Sequence, residues 1–250
     1  MKLNLIMPMA GGGTRFENHG FYVPKPLIRI HGEPFFYWAV QSVVKDIEIG
    51  RITFVVLREH VKRFEIDKRI LEYYPKSHIK VIPHVLNGAV LTCMEGIKEI
   101  LDGEPILFND CDHVFLCKEF NEFAGGGCGE DIEGALLTFP SNNSRYSFVK
   151  FDGDGKVCGT IEKVAVSDEA ICGAYYFRNR AVFLDAVDTY LSNCKYSEYF
   201  VSGLYNEMAK KKMQIKTFKT DTHISFGTPE EFDEAVKQKA LFEPFRSLGR

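Results

Sequence analysis

The sequence lacks the patterns that identify several common protein classes. Its seven cysteines contain no Cys-x-x-Cys pair, which argues against zinc motifs and disulfide frameworks and favours a reducing compartment. No apolar run approaches the roughly 20 residues that span a bilayer, and the N-terminus shows no signal-peptide pattern. We therefore expect a cytoplasmic protein with no membrane partner.

An excess of charge of one sign is also missing. Lys and Arg number 31 and Asp and Glu number 34, so the formal net charge is −3. Mixed charge at this level argues against a nucleic-acid partner or an anionic membrane surface. The 250 residues are 45% hydrophobic, which is enough for a sizeable core. Small molecules are the expected partners, and a homo-oligomer stays open.

The densest chemical pattern lies near the N-terminus. An apolar strand pattern there ends in three consecutive glycines, Gly11–Gly13, whose missing Cβ atoms let the backbone approach a ligand. Arg15 follows at once, and Lys25 stands between two prolines. Backbone N–H groups can cradle phosphate oxygens while cations neutralise their charge. The stretch therefore predicts a polyphosphate site, with a plain tight turn as the alternative.

Two familiar glycine motifs do not fit this stretch. Phe16 takes the place of the third glycine in the dinucleotide fingerprint, and no Gly-Lys-Ser or Gly-Lys-Thr triplet supplies a P-loop. Instead, GGGTR followed by PKPL resembles the paired signature of the sugar-phosphate nucleotidyltransferases, which include nucleotide-sugar pyrophosphorylases and phosphocholine cytidylyltransferases. The resemblance continues into the C-terminal region.

The order of apolar runs predicts an α/β fold. Strand and helix patterns alternate in the first half, which indicates a mostly parallel sheet with helices on both faces. The resemblance implies a Rossmann-like three-layer α/β/α nucleotidyltransferase fold with a mixed, mostly parallel central sheet and a small antiparallel acceptor-binding layer. It also implies a single domain, 1–250, with a nucleotide-binding part at about 1–131 and an acceptor-binding part at about 132–250.

Individual elements can be placed as well. A helix is expected to begin at Pro229, with Thr228 as its N-cap and Glu231 as the third helical residue. The other elements that matter below are strands at Ile52–Leu57, Lys80–Ile82 and Ile106–Phe108, a helix at Val61–Tyr74, and a helix that follows Asn87-Gly88-Ala89 and runs to about Leu101.

Two carboxylates, Asp110 and Asp112, follow the strand pattern Ile106–Phe108. Ligands in such sheets bind beyond the carboxyl ends of the strands, and Mg²⁺ prefers hard oxygen ligands. Both residues are therefore candidate metal ligands, with exposed turn residues as the alternative. The resemblance makes Asp112 the main candidate, because Asp112-x-x-Phe115 matches the family register. Asp-x-Asp is also the metal motif of many glycosyltransferases, which supplies a rival function.

The resemblance implies roles for further residues. Arg15 would hold the leaving pyrophosphate, Lys25 the α-phosphate and Lys163 the phosphate of the acceptor, so these three are the candidate catalytic residues. The implied acceptor-binding residues are Glu162, Gly173 and Tyr175. The implied nucleotide-binding residues are Met9, Ala10, Gly11, Gly12, Gly13, Thr14, Asn87 and Gly88, of which the last two have a plain helix start as the alternative.

The sequence departs from the family pattern at three places. Val164 stands where a Pro usually follows the Glu-Lys pair, and Tyr146-Ser147 stands where many members have Tyr-Gly. Ser225 stands where many members have a second metal-binding Asp, for which Asp221 is a candidate substitute. These departures leave the sugar contact and the second metal ligand open.

The function that follows is transfer of a nucleoside monophosphate from an NTP to a phosphorylated small molecule, such as a sugar 1-phosphate. Pyrophosphate is released, Mg²⁺ is the expected cofactor, and the implied role is supply of activated precursors for surface polysaccharide synthesis. An acceptor phosphate is already anionic, so no general base is required. Two alternatives are an Asp-x-Asp glycosyltransferase and a catalytically silent nucleotide-binding protein.

Overall fold

The structure, a computed structural model, describes residues 2–129 and 131–246 and is organised around a nine-stranded mixed sheet. The strands of this sheet and of two small sheets are β1 (Leu3–Pro8), β2 (Arg29–Ile30), β3 (Glu33–Pro34), β4 (Ile49–Leu57), β5 (His78–Ile82), β6 (Ile106–Asn109), β7 (His113–Leu116), β8 (Gly134–Pro140), β9 (Ser147–Phe151), β10 (Val157–Glu162), β11 (Glu169–Phe177), β12 (Ile215–Lys219) and β13 (Thr222–Ser225). The helices are α1 (Thr14–Glu17), α2 (Phe35–Val44), α3 (Arg58–Phe64), α4 (Ile66–Tyr73), α5 (Ala89–Gly96), α6 (Lys118–Gly125), α7 (Arg180–Asn193), α8 (Leu204–Lys210), α9 (Pro229–Lys237) and α10 (Lys239–Phe242).

The central sheet is mostly parallel, as expected. Strands β5, β4, β1 and β6 run parallel side by side, and β8 and β12 form another parallel pair. Strand β11 lies between these two groups and is antiparallel to both β6 and β8. The antiparallel β9–β10 hairpin is joined to β11 and completes the central sheet. Strands β7 and β13 form a separate two-stranded antiparallel sheet. The two halves of the chain thus share one continuous sheet.

Helices cover both faces of this sheet. Side chains alternate along each strand, so Leu5 and Met7 of β1 enter one core while Ile6 enters the other. Residues of α2, α4 and α6 pack into the first core, and residues of α5, α7 and α8 pack into the second. The predicted three-layer arrangement is therefore confirmed.

A third core, the aromatic cluster, lies under the loop that follows β1. Its aromatic side chains come from the N-terminal and C-terminal segments and include Phe16, Phe35, Trp38, Phe226, Phe232 and Phe242. The Phe16 ring packs edge-on against both Phe35 and Phe232, with ring centroids 5.8 and 6.3 Å away. The cluster therefore ties the glycine loop to the C-terminal helices.

Two helix predictions were wrong in detail. The segment predicted as one helix, Val61–Tyr74, contains two, because Glu65 adopts a left-handed conformation with φ 50°. Ile66 and Ile70 are both buried, so the apolar pattern runs on past the break. The helix predicted to reach Leu101 ends at Gly96.

The predicted capping box at α9 is confirmed. The Thr228 Oγ1 accepts a hydrogen bond from the Glu231 backbone N–H at 3.3 Å, and the Glu231 Oε2 accepts one from the Thr228 N–H at 3.1 Å. Each residue satisfies a donor that the first helical turn would leave without a partner.

No helix among residues 2–129 and 131–246 has both the length and the apolar content to cross a bilayer.

Gly88, at the start of α5, permits a close backbone contact. Its φ is +99°, and a Cβ built there would collide with the backbone of Tyr199. The contact is held by two backbone bonds, from Tyr199 N–H to the Asn87 carbonyl at 3.3 Å and from Val90 N–H to the Tyr199 carbonyl at 3.1 Å. Only glycine fits both the conformation and the space.

We predict that Gly88→Ala destabilises the protein by about 1–3 kcal/mol more than Gly20→Ala, because overpacking adds to the backbone strain. Gly20 is the matched control: its φ is +85°, but a Cβ there would meet nothing within 4 Å. Urea unfolding of both variants measures the difference. Equal destabilisation would contradict the steric account of Gly88.

Candidate active site

A cleft of about 660 Å³ lies beyond the carboxyl ends of β1 and β6. Both halves of the chain contribute to its wall, as the continuous sheet requires. The predicted site residues in that wall are Arg15, Asp110, Asp112, Glu162, Lys163 and Tyr175. Residues from distant parts of the sequence therefore meet at the edge where ligands bind in open α/β sheets.

Lys25 and Asp112 form an ion pair at this edge, between the lysine Nζ and the carboxylate Oδ2. About 25% of each side chain is exposed, so water screens the pair only in part. Burial is the largest single influence on the pKa of Lys25 and would lower it, but the charge of Asp112 and further contributions, including the hydrogen bond to Asp112, together raise the pKa. Burial likewise opposes the charge of Asp112, yet Lys25 lowers the pKa of that carboxyl. Both groups are therefore ionised at neutral pH.

The local sequence explains the direction of Lys25. Residues Lys25–Leu27 form a 3-10 turn closed by a hydrogen bond from Leu27 N–H to the Pro24 carbonyl, 2.8 Å long. Pro24 and Pro26 fix the backbone on either side. The lysine Nζ lies 5.9 Å from the centre of the Phe16 ring, in reach of a cation–π contact.

Asp110 and Asp112 are flanked by two glycines. A Cβ on Gly173 would lie 2.8 Å from the Asp110 Oδ2, and a Cβ on Gly227 would collide with the Asp112 Oδ2. Burial, and next the charge of Asp112, raise the pKa of Asp110 to about 7. The two glycines thus leave space for the carboxylates, which are close enough for the charge of Asp112 to act on Asp110. Such oxygen donors suit a hard divalent cation.

Glu162 and Lys163 lie on the acceptor side, at the end of β10. The Glu162 Oε2 accepts hydrogen bonds from the hydroxyls of Ser147 and Ser202, the latter at 3.2 Å. Lys163 has a left-handed backbone, φ 59°, and its Nζ lies 5.4 Å from the centre of the Phe200 ring. A left-handed non-glycine residue is uncommon; here it turns the chain so that both side chains border the cleft.

Arg15 also belongs to the cleft wall and lies in the short helix α1. Its side chain is exposed, and within residues 2–129 and 131–246 its guanidinium has no hydrogen-bond or ion-pair partner. A guanidinium offers several parallel N–H donors. Arg15 is therefore available to bind an anion that enters the cleft.

The predicted nucleotide-binding residues lie outside the cleft wall. Met9 and Ala10 are buried, Gly11, Gly12 and Thr14 are exposed, and Gly13 has a left-handed backbone. None of these, nor Asn87 and Gly88, belongs to the cleft wall described above, although the neighbouring Ala89 does. Their contact with a nucleotide stays a prediction, and Gly88 already has a packing role.

The Ser225 side chain is hydrogen-bonded to a neighbouring carboxylate. Its hydroxyl donates to the Glu231 Oε2 at 2.8 Å, and the Tyr146 hydroxyl donates to the Oε1 of the same residue. The suggested substitute, Asp221, accepts a hydrogen bond from the Lys118 N–H at 2.8 Å. Asp221 therefore caps the start of α6 and is not part of the cleft wall, and its role as a second metal ligand stays a prediction.

Sequence analysis missed two buried histidines in the cleft wall, His113 and His223. They come together because β7 pairs with β13, with His113 opposite Ser225 and His223 opposite Phe115. Their separation along the chain matches no ligand motif, so no sequence signal pointed to them.

The comparisons with known proteins agree with this geometry. The nucleotidyl transferase family pattern matches residues 4–240. No curated protein matches the sequence at a significant level.

Three solved structures have a similar fold. The nucleoside-diphosphate-sugar pyrophosphorylase from Vibrio cholerae RC9 has a TM-score of 0.80 and 23% identity, covering 94% of this chain and 100% of that one. The inositol-1-phosphate CTP transferase from T. maritima has a TM-score of 0.77 and 12% identity, covering 99% and 98%. A putative glucose-1-phosphate thymidylyltransferase from Bacillus anthracis has a TM-score of 0.74 and 17% identity, covering 100% and 98%.

These structural likenesses concern the fold, whereas the family pattern covers nearly the whole chain. The chain therefore belongs to the nucleotidyl transferase family.

Proposed function

We propose that this protein transfers a nucleoside monophosphate from an NTP to the phosphate of a small phosphorylated molecule, such as a sugar 1-phosphate, and releases pyrophosphate. The observation that carries the proposal is the cleft whose wall brings together Arg15, Asp112 and Lys163 from both halves of the chain. Lys25 joins them through its ion pair with Asp112. Structures of similar fold are named for glucose-1-phosphate and inositol-1-phosphate substrates. A supply of activated precursors for surface polysaccharide synthesis is the cellular role that we propose, in the cytoplasm.

The proposed reaction is an in-line displacement at the α-phosphorus. An oxygen of the acceptor phosphate forms the new P–O bond, the bond to the β-phosphate breaks, and the electron pair leaves with pyrophosphate. No proton has to be removed from the acceptor, because its phosphate is already anionic. Catalysis then consists of positioning and charge neutralisation.

Each cation of the site would bind a different phosphate group of the substrates. Arg15, with no protein partner among the described residues, would bind the departing β- and γ-phosphates. Lys25 would exchange its bond to Asp112 for the α-phosphate, whose negative charge would then take the place of the carboxylate as the partner of the lysine. Lys163 would hold the acceptor phosphate, while Glu162, fixed by two serine hydroxyls, would orient the polar groups of the acceptor.

Asp110 and Asp112 are the residues that would hold Mg²⁺. The two glycines leave room for the side chains of these aspartates, and carboxylate oxygens are the donors that Mg²⁺ prefers. When bound, the ion would neutralise phosphate charge. Ser225 and Asp221 have other hydrogen-bond partners, so the second carboxylate of the proposed site is Asp110.

A matrix of nucleotides against phosphorylated acceptors, scored by pyrophosphate release, tests the proposal. A glycosyltransferase would release a nucleoside diphosphate instead, and a silent nucleotide-binding protein would bind without turnover. Either result overturns the proposal.

We predict that Lys25→Ala lowers kcat by about 100-fold, because a cation that stabilises charge in the transition state is worth about 3 kcal/mol. Lys237→Ala is the matched control, since Lys237 also pairs with a carboxylate, Glu234, at 2.6 Å but lies on the exposed surface of α9. Steady-state kinetics on the true substrates measure both. A Lys25→Ala variant within a few-fold of wild type contradicts the assigned role.

For Arg15→Ala we expect a weaker apparent affinity for the NTP, by about 10- to 100-fold, since each charged hydrogen bond contributes about 1.5–3 kcal/mol. Arg63→Ala, on the exposed helix α3, is the control. Arg63 pairs with Glu59 at 2.7 Å and should leave nucleotide binding unchanged. Calorimetric titration with the NTP decides; equal affinities in the two variants would remove Arg15 from the site.

Asp112→Asn should abolish nearly all turnover and raise the Mg²⁺ concentration needed for activity, while Asp110→Asn should do less harm. Asp221→Asn is the control, because that carboxylate caps α6. Activity measured across a Mg²⁺ titration compares the three variants. The reverse order for Asp110 and Asp112 would make Asp110 the main ligand.

A further inference from the structure

His113, Cys172 and His223 form a compact cluster beneath the cleft. Each offers one ligand atom, and these three atoms lie within 4.8 Å of one another. The residues come from β7, β11 and β13, so pairing between strands assembles the cluster. All three contribute to the cleft wall, which gives a small ion a route of entry.

Two nitrogen atoms of this cluster lack hydrogen bonds. The His113 Nδ1 and the His223 Nε2 are buried and have no hydrogen-bond partner within residues 2–129 and 131–246. His113 is only 2% exposed. An unsatisfied buried polar atom costs about 1–3 kcal/mol, and such atoms in native proteins usually have a functional or ligand-binding explanation.

A neighbouring amide fixes the orientation of His113. The His113 Nε2 lies 3.0 Å from the Asn109 Oδ1, and the Asn109 amide nitrogen donates to the Ala39 carbonyl at 3.0 Å. Since the second contact uses the amide N–H, the Oδ1 must accept, and the Nε2 must carry the proton. The Nδ1 then presents a lone pair to the cluster, which is the arrangement of a metal-binding histidine with its outer hydrogen bond.

The thiol of Cys172 is the third donor of the cluster. An ion that binds there must displace the thiol proton, as metals bound to cysteine do.

We propose that His113, Cys172 and His223 bind a divalent transition-metal ion of the zinc class, at a site separate from the Asp110–Asp112 carboxylates. Two imidazoles and one thiolate suit Zn²⁺, whereas Mg²⁺ requires oxygen donors. Tetrahedral zinc with bonds of about 2.0–2.3 Å separates its ligands by about 3.5 Å, so the side chains need to close by about 1 Å. Water or an oxygen of a bound molecule completes the coordination.

The experiment titrates the metal-free full chain with Co²⁺ and then with Zn²⁺. We expect one Co²⁺ per chain, a near-ultraviolet thiolate-to-cobalt charge-transfer band, and its loss when Zn²⁺ displaces the cobalt. Cys172→Ser should abolish the band, and His223→Gln should weaken zinc binding by at least about tenfold. Zinc should raise the melting temperature of the wild type and not that of Cys172→Ser.

Two cysteine variants are the controls. Cys111 is 8% exposed and Cys172 is 7% exposed, so Cys111→Ser matches the burial change without touching the cluster. Cys158→Ser removes the exposed thiol that could bind metal adventitiously. Both controls should keep the band and the zinc affinity of the wild type.

A band that persists in Cys172→Ser, or disappears in Cys158→Ser, overturns the proposal. If Cys172→Ser does not fold, His223→Gln decides, and an unchanged zinc affinity in that variant overturns the proposal. None of these measurements uses turnover, so the result is independent of the proposed nucleotidyl transfer.

Discussion

The ion pair between Lys25 and Asp112 is the interaction on which the cleft depends. Two carboxylates, Asp110 and Asp112, lie together at the end of β6, and burial with mutual repulsion raises the pKa of Asp110 to about 7. Like charges in a partly buried place are costly unless a cation compensates them. Lys25 supplies that cation from the loop after β1. The pair therefore joins the segments that follow two neighbouring parallel strands, β1 and β6, before any ligand binds.

The aromatic cluster keeps Lys25 in place. Phe16, which rules out a dinucleotide fingerprint, is 1% exposed and packs against Phe35 and Phe232. It thus anchors a loop that would otherwise consist of glycines and polar residues. The same cluster includes residues beside α9, the helix whose capping carboxylate, Glu231, binds Ser225 and Tyr146. The aromatic cluster therefore positions both the N-terminal loop and the C-terminal helix α9 around the cleft.

Strand β11 joins the two halves. It pairs with β6 of the N-terminal half and with β8 and β9 of the C-terminal half. Gly173 on this strand gives Asp110 its space, and Cys172 beside it belongs to the histidine–cysteine cluster. The bond from Asp110 N–H to the Gly173 carbonyl, 2.9 Å long, fixes this register. An antiparallel strand in a parallel sheet is thus the reason that both halves contribute to one site.

The sequence by itself determined the features that depend on neighbouring residues. The apolar periodicity indicated the layers, the prolines around Lys25 restricted its backbone, and Thr228 and Glu231 specified a capping box that forms as expected. Tertiary structure alone decided which side chains meet. Its results are the Lys25–Asp112 ion pair, the hydrogen bond from Ser225 to Glu231, and the cluster of His113, Cys172 and His223. The physical reason is that propensities, caps and turns act over a few residues, whereas strand order and register between distant segments place side chains across a cleft.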